Sequence, residues 1–337
     1  MQNPREPALW IKIGNESIWG RRGLIKSNTL WLPLGLVLFF SPARDSGLHS
    51  LRILMLFLSV VCWSLFSILV NDITDSMDDL DAGKQRWINT ILPTRGIWVV
   101  ICFAGTGIIF TLAAAAPTRA LFAYIIALIS GLTYSTPPAR FKERGIAGLL
   151  CYSISTMFGF AVIPWAWFGH NPLLLILSGA AVFLDKWVNL HFHQIIDYKA
   201  DSAANTHTYA VKAGIVSAQK SLKIIAGCAT LSSALVLMYM IVTLQTAGIV
   251  LSIITFAAFC LIAVKINEEK KLPSGTTSLT RELPWFYLAS TLTVFRLLPT
   301  LLFLTLAIQS ARYIPVCCVV VFLLSLETWY SFRYRYY

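Results

Sequence analysis

The sequence predicts an all-α membrane protein, a polytopic helical bundle with about nine to ten transmembrane helices. Three observations support this fold class. Hydrophobic residues make up 57% of the 337 residues and charged residues only 13%, whereas soluble domains carry about 25% charged residues. The apolar residues fall into ten separate stretches, most of them close to the roughly 20 residues that a helix needs to cross the bilayer core. Along the chain, loops rich in Lys and Arg alternate with loops that contain few of them.

The loops give the predicted topology. If the N-terminus lies in the cytoplasm, the inside segments hold 20 Lys and Arg residues and the outside segments hold 4. Cytoplasmic loops collect Lys and Arg. We therefore expect both termini, and the polar loops at 71–94, 135–145 and 195–220, on the cytoplasmic side. The ten predicted spans are roughly 28–41, 51–71, 95–115, 119–134, 146–168, 172–196, 221–244, 247–265, 285–308 and 313–331.

The remaining composition narrows the function classes. Lys and Arg number 27 against 16 Asp and Glu, and topology explains this excess better than nucleic-acid binding does. The first 27 residues are polar and basic without an apolar core, so no signal peptide is predicted there. We expect a cytoplasmic segment that either lies amphipathically on the membrane surface or is a disordered tail. The seven cysteines lie in apolar runs without a C-x-x-C pair, which predicts small buried hydrophobic residues, not disulfides or a metal site.

An acidic cluster follows the second apolar run, in "LVNDITDSMDDLDAGKQRWIN" at 69–89. Asp72, Asp75 and Asp79 are spaced i, i+3 and i+7, which places them along one helix face beside Asn71. Like charges so close to the membrane need compensation. Nearby Lys and Arg side chains supply it, or a divalent cation does, with Mg²⁺ the natural choice for carboxylate ligands. The simpler alternative is an ordinary acidic loop whose first residues cap the helix.

A second acidic segment lies at 185–214. Asp197 and Asp201 are four residues apart and fall one turn apart on a helix. Polar side chains in a span need a polar cavity or partner helices, so this segment predicts either a cavity wall or interhelical hydrogen bonds. The same spacing continues backward through His193, Asn189 and Asp185.

Other polar residues within the spans do not point to a specific function. His191 and His193 are two residues apart and point in different directions on a helix, so they do not predict a zinc site. Lys186 lies about 100° around the helix from Asp185, which favours a contact with a neighbouring helix or with the interface. Arg296 pairs with an acidic group or supports packing.

The third polar element is "YSTPPARFKERGIAG" at 134–148. Its two prolines block helix continuation. Arg140, Lys142 and Arg144 alternate with other residues, so on an extended backbone they would point the same way. Cations beside two acidic segments suit a metal–diphosphate ligand. A topogenic basic loop is the alternative.

These three elements together resemble the UbiA superfamily of intramembrane prenyltransferases. The series Asn71, Asp72, Asp75 and Asp79 is similar to the family's first motif, NDxxDxxxD, and Arg86 falls at the basic position that follows it. The pair Asp197 and Asp201 is similar to the second motif. The "YSTPPARFKERG" stretch is similar to the loop between the fourth and fifth helices.

The resemblance covers roughly residues 24–308 and includes three departures. Asn205 stands where the family usually has Gly, and the first helix lacks the Arg-Pro that many members show. Members usually have nine spans, so 313–331 is predicted to be an additional helix. The resemblance thus implies a UbiA-like transmembrane domain at 28–308, followed at 309–337 by an additional helix and a basic-aromatic tail.

The resemblance also implies a reaction and its residues. The bundle would surround a central cavity, and two Mg²⁺ ions would bridge the acidic motifs and the diphosphate of a prenyl donor. A lipophilic acceptor, aromatic or of another kind, would capture the resulting carbocation. The implied metal ligands are Asn71, Asp72, Asp75, Asp79, Asp197 and Asp201; the diphosphate ligands are Arg86, Arg140, Lys142 and Arg144; the catalytic set is Asp72, Asp75, Asp197, Asp201 and Lys142; and the candidates for the cavity or acceptor side are Tyr134, Asp185, Asn189 and His193.

Two other functions remain open from the sequence. Some members of the superfamily are terpene cyclases, in which the donor's own double bonds attack the cation, and an aromatic content of 13% suits cation–π stabilisation. A transporter with carboxylates inside the membrane is the remote alternative. It explains 185–201 but neither the acidic cluster at 71–81 nor the "YSTPP" loop.

Overall fold

The computed structural model describes residues 26–40, 49–76, 93–114, 116–169, 171–204, 206–243, 245–269 and 283–333. Within these ranges the chain is helical, and the one β-type contact is an isolated bridge between Gly145 and Thr208. Nine helices in this part of the chain are long and apolar enough to cross a membrane. The predicted all-α, multi-pass architecture is therefore confirmed.

The helices follow the predicted spans closely. They are α1 Trp31–Phe40, α2 His49–Thr74, α3 Pro93–Ala113, α4 Thr118–Ser135, α5 Ile146–Phe168, α6 Pro172–Ile196, α7 Tyr198–Ala203, α8 Tyr209–Ala213, α9 Ile215–Thr243, α10 Gln245–Glu269, α11 Trp285–Gln309 and α12 Ile314–Arg333. Two short helices, α7 and α8, connect α6 to α9. Helices α5 and α11 each contain a π-helical turn, at Phe158–Val162 and Thr293–Leu297.

Helix α6 shows how local sequence sets the position of the second acidic segment. The Asn171 side chain accepts hydrogen bonds from the backbone N–H groups of Leu173 and Leu174, at 3.0 and 3.3 Å. Pro172 is the first helical residue, where its missing N–H costs nothing. The helix then runs to Ile196, and Asp197 closes it with φ −80° and ψ 1°. The pair Asp197 and Asp201 therefore begins where a span ends.

Helix α1 lies inside the bundle. Its residues from Trp31 to Phe39 are all buried, and the Trp31 ring stacks on Phe57 and meets Phe303 edge-on. Within the described residues the apolar helical stretch is Ser27–Phe40, shorter than the roughly 20 residues of a full span. It coincides with the first predicted span and packs within the main hydrophobic cluster.

Helix α12 covers part of this core with one apolar stripe. Val316, Val320 and Leu323 are buried in the main hydrophobic cluster, which also contains α1. On the opposite side Phe322 is 65% exposed, as expected for a lipid-facing residue. The additional helix therefore packs as part of the bundle.

A buried polar cluster joins α1, α11 and α12. The Arg296 guanidinium lies 2.9 Å from a Glu327 carboxylate oxygen. The Asn28 amide, in the 3₁₀ turn before α1, donates to the other Glu327 oxygen at 3.1 Å, and Trp31 Nε1 donates to Asn28 Oδ1 at 3.1 Å. The acidic partner of Arg296 thus comes from the additional helix.

The cysteines are free, as predicted, but not all are buried. Cys62 and Cys317 are buried and Cys151 is half-buried. The other four, Cys102, Cys228, Cys260 and Cys318, are exposed. The prediction of seven buried cysteines was therefore wrong for four of them, because an apolar helix surface faces lipid as readily as it faces the core.

Candidate functional site

Three polar segments meet at one end of the bundle. They are the end of α2, the loop at 136–145 and the segment at 197–214, and direct side-chain and backbone contacts join the loop to both of its neighbours. The sequence places these three segments on one membrane face. Their mutual contacts agree with that arrangement.

Asp75 is the contact point between the first acidic motif and the basic loop. Lys142 forms an ion pair with the Asp75 carboxylate, and the Arg140 guanidinium lies 3.9 Å from the same oxygen. Lys142 is only 8% exposed. Burial lowers the pKa of its ammonium to about 8, partly opposed by the nearby Glu143 carboxylate. Two cationic side chains therefore lie beside Asp75, a predicted metal ligand.

The basic loop is not extended. Residues Phe141–Glu143 form a 3₁₀ turn, and Arg140 before it has a left-handed φ of 34°. Arg140 Nε lies 2.7 Å from Glu143. Arg144 turns away from Asp75: it donates to the Pro138 carbonyl at 2.7 Å and lies over the Phe141 ring. The expectation that three cations point the same way was therefore wrong, because a 3₁₀ turn places alternate residues on different sides.

The first motif begins in the last turn of α2, with Asn71 and Asp72, and continues beyond the end of the helix at Asp75. Asn71 Oδ1 accepts a hydrogen bond from Ser135 Oγ of α4 at 3.0 Å. Asp72 is half-buried within the helix, and the Asp75 N–H donates to the Asn71 carbonyl at 3.0 Å. Two predicted site residues, Asp79 and Arg86, lie outside the described residues.

The second motif is tied to the same loop. The Asp201 N–H donates to the Asp197 carbonyl at 2.8 Å, so the two aspartates are one turn apart although Asp197 follows the end of α6 and Asp201 lies in α7. Thr208 Oγ1 donates to the Asp201 carboxylate at 3.1 Å. Thr208 also bridges to Gly145, whose N–H donates to the His207 carbonyl at 3.3 Å. The loop between α4 and α5 therefore contacts both acidic segments.

Asp185 does not continue the face of Asp197. Each step of four residues rotates about 40° around a helix, so three steps carry Asp185 about 120° away. Its buried carboxylate accepts from the Tyr287 hydroxyl of α11 at 2.8 Å. Lys186 lies 3.2 Å from the same carboxylate and above the Phe160 ring of α5. The expected contact of Lys186 with a neighbouring helix is thus confirmed at Phe160, and its ion pair with Asp185 was not predicted.

The other cavity candidates lie nearer the site. Asn189 and His193 are half-buried on α6. Tyr134, at the end of α4, has its ring 5.8 Å from that of Tyr152 on α5. Both helices adjoin the basic loop, so Tyr134 is next to the site by position in the fold.

The donor set fits Mg²⁺. Asp72, Asp75, Asp197 and Asp201 supply hard carboxylate oxygens, which this ion prefers. Within the described ranges, no three His, Cys, Asp or Glu side chains are close enough together to form a metal cage. Mg²⁺ does not require one, because it is typically held by one or two carboxylates together with substrate phosphates and water.

Comparison with known proteins identifies the class. The structure is a polytopic bundle in which acidic and basic segments meet at one end. The model of the UbiA prenyltransferase family matches residues 30–279. The chain therefore belongs to the UbiA prenyltransferase family. No curated protein matches the sequence closely enough to count as a relative.

Solved structures show the same fold. A UbiA homolog from Archaeoglobus fulgidus bound to DMAPP and Mg²⁺ is 21% identical, with a TM-score of 0.56 over 80% of this chain and 93% of that one. A UbiA homolog from Aeropyrum pernix K1 is 16% identical, with a TM-score of 0.56 over 85% and 97%. A digeranylgeranylglyceryl phosphate synthase is 15% identical, with a TM-score of 0.52 over 85% and 98%.

Proposed function

We propose that this protein is a Mg²⁺-dependent intramembrane prenyltransferase that ionises a prenyl diphosphate and transfers the isoprenoid to an aromatic or other lipophilic acceptor. The observation that carries the proposal is the contact of one basic loop with both acidic segments, through Asp75 and through Thr208 beside Asp201. The family membership and the DMAPP and Mg²⁺ bound to an archaeal homolog support it.

The residues divide into two groups by charge. Bound Mg²⁺ would supply positive charge that stabilises the departing diphosphate. Its proposed ligands are Asn71, Asp72, Asp75, Asp79, Asp197 and Asp201, and we include two ions in the proposal. Lys142 and Arg140 lie beside Asp75, where they can bind diphosphate oxygens, whereas Arg144 faces Pro138. Arg86 completes the proposed diphosphate set.

The polar end and the apolar bundle would serve different parts of the substrate. Negative charge would develop on the diphosphate where Lys142 and Arg140 already lie, so little reorganisation is needed. The isoprenoid chain would extend from this polar end into the apolar bundle, which excludes water from the allylic cation. Tyr134, Asn189, His193 and Asp185 are proposed for the cavity wall or acceptor side. Of these, Asp185 lies about 18 Å along α6 from Asp197, too deep to contact the reacting carbon at the metal site.

Product analysis tests the proposal. Purified protein in lipid nanodiscs receives geranyl, farnesyl or geranylgeranyl diphosphate with Mg²⁺, with and without a lipid extract as the acceptor source. We expect release of diphosphate and, by mass spectrometry, a prenylated product that depends on the extract. A cyclic hydrocarbon or alcohol formed from prenyl diphosphate alone would instead identify a terpene cyclase. Absence of diphosphate release under all conditions would refute both.

A further inference from the structure

A cluster of three side chains around the buried His191 lies beside the second acidic motif. His191 of α6 is 1% exposed, and its ring meets the Tyr209 ring of α8 edge-on, with centroids 5.0 Å apart. Ser221 of α9 lies between them: its Oγ is 3.4 Å from His191 Nε2 and 3.3 Å from the Tyr209 hydroxyl. We call these three residues the His191 cluster. It joins three helices around the segment that follows Asp201.

Hydrogen bonding assigns the donors in this cluster. The Ser221 hydroxyl donates to the Ala218 carbonyl at 3.0 Å. Its oxygen is therefore an acceptor for both neighbours, so the Tyr209 hydroxyl and His191 Nε2–H are the donors. This places a hydrogen on Nε2 of His191. The cluster is thus a directed set of contacts that holds Tyr209 against α6 and α9.

Tyr209 follows the residue that bonds the metal motif. Thr208 is 8% exposed and donates to the Asp201 carboxylate at 3.1 Å. Its backbone bridges to Gly145 in the basic loop. With Tyr209 held on one side and Gly145 on the other, the Thr208 hydroxyl has a fixed direction. A carboxylate oriented by such a neighbour binds metal more tightly than one that rotates freely.

We propose that the His191 cluster is a positioning device for Asp201: it fixes Thr208, and Thr208 orients the carboxylate for the divalent cation. This inference rests on the proposed function, because it assumes that Asp201 is a metal ligand. None of its three residues is among the proposed metal or diphosphate ligands. It acts on metal affinity through one hydrogen bond.

Metal affinity measured without substrate tests the inference. Purified protein in detergent is titrated with Mn²⁺, and the free ion is followed by electron paramagnetic resonance. Thr208→Val removes the donor and should raise the Kd about tenfold, while Thr208→Ser should restore it. Thr230→Val is the matched control, because Thr230 on α9 donates only to the Ala226 carbonyl of its own helix, at 3.0 Å. An unchanged Kd in Thr208→Val would overturn the inference.

A double-mutant cycle shows whether His191 acts through Thr208. His191→Ala should raise the Mn²⁺ Kd, and combining it with Thr208→Val should add little beyond Thr208→Val alone. Additive effects would mean that the His191 cluster only stabilises the fold, and would overturn the inference. So would a wild-type protein that binds no Mn²⁺. Binding of Mn²⁺ without diphosphate release from any prenyl diphosphate would refute the proposed function and leave the positioning role intact.

Discussion

Individual residues at the site have unequal roles because their contacts differ. Lys142 is nearly buried and paired with Asp75, whereas Arg144 is exposed and satisfied within its own loop. The sequence alone gives both residues the same spacing pattern and the same charge. Only the 3₁₀ turn separates them, so the two cations are a matched pair for mutagenesis.

We predict that Lys142→Met raises the KM for prenyl diphosphate by about tenfold or more and that Arg144→Met changes it less than about threefold. Lys142 approaches the proposed diphosphate position beside Asp75, and Arg144 does not. Initial rates of diphosphate release over a range of prenyl diphosphate concentrations measure both. Equal increases in KM would show that the loop opens to present all three cations.

The aspartates of the first acidic cluster provide a second matched pair. We predict that Asp75→Ala lowers kcat by about a hundredfold or more, since a proposed metal ligand at the centre of the ion pairs is lost. Asp81→Ala should lower kcat only slightly, because Asp81 does not fit the spacing of the motif. The same rate assay at saturating Mg²⁺ measures both. Similar losses in the two variants would contradict the predicted helix face.

At the element scale, the additional helix α12 is joined to the bundle by charge as well as by apolar packing. Glu327 pairs with Arg296 of α11 and accepts from Asn28 next to α1. Both charged side chains are 18% exposed. Removing one partner leaves the other charge without its ion pair in a largely buried place, which is costly, whereas replacing both with apolar residues is often tolerated.

We predict that Glu327→Ala lowers the free energy of unfolding by roughly 2–3 kcal/mol, less than the loss of a fully buried ion pair, because both side chains are 18% exposed. The double variant Arg296→Met with Glu327→Leu should recover most of this loss. Denaturant titration in mixed micelles, followed by tryptophan fluorescence, measures the change. Glu268→Ala is the control, because Glu268 is exposed at the end of α10, and it should change stability by less than about 0.5 kcal/mol. A double variant no more stable than Glu327→Ala would contradict the role of the ion pair.

At the scale of the whole molecule, the sequence predicts the parts that depend on local pattern. Apolar run length gives the spans, and Asn171 with Pro172 marks the start of α6. The three motifs locate the polar end of the bundle. Contacts between distant residues are not encoded locally: the Glu327 partner of Arg296 and the Tyr287 partner of Asp185 depend on how helices pack. The burial of α1 has the same cause, since an apolar helix has a similar composition whether it faces lipid or the protein core.

The membrane orientation of the bundle remains a prediction from charge. The segments expected in the cytoplasm hold 20 Lys and Arg residues against 4 on the other side, and this asymmetry places the basic loop and both acidic segments inside. Lys212 in α8 and Ala311 before α12 are both exposed, and the predicted topology places them on opposite faces. They are therefore suitable positions for a labelling test.

We predict that a cysteine at position 212 reacts with a membrane-impermeant maleimide only in inside-out vesicles. A cysteine at position 311 should react only in right-side-out vesicles. Both substitutions, Lys212→Cys and Ala311→Cys, are made in a background without the seven native cysteines, because four of those are exposed on the apolar surface. Cytoplasmic loops retain Lys and Arg because translocating them is unfavourable, so the labelling should follow the charge. The reverse pattern would place the proposed site on the other face, and labelling of both cysteines from one side would mean that a helix between them does not cross.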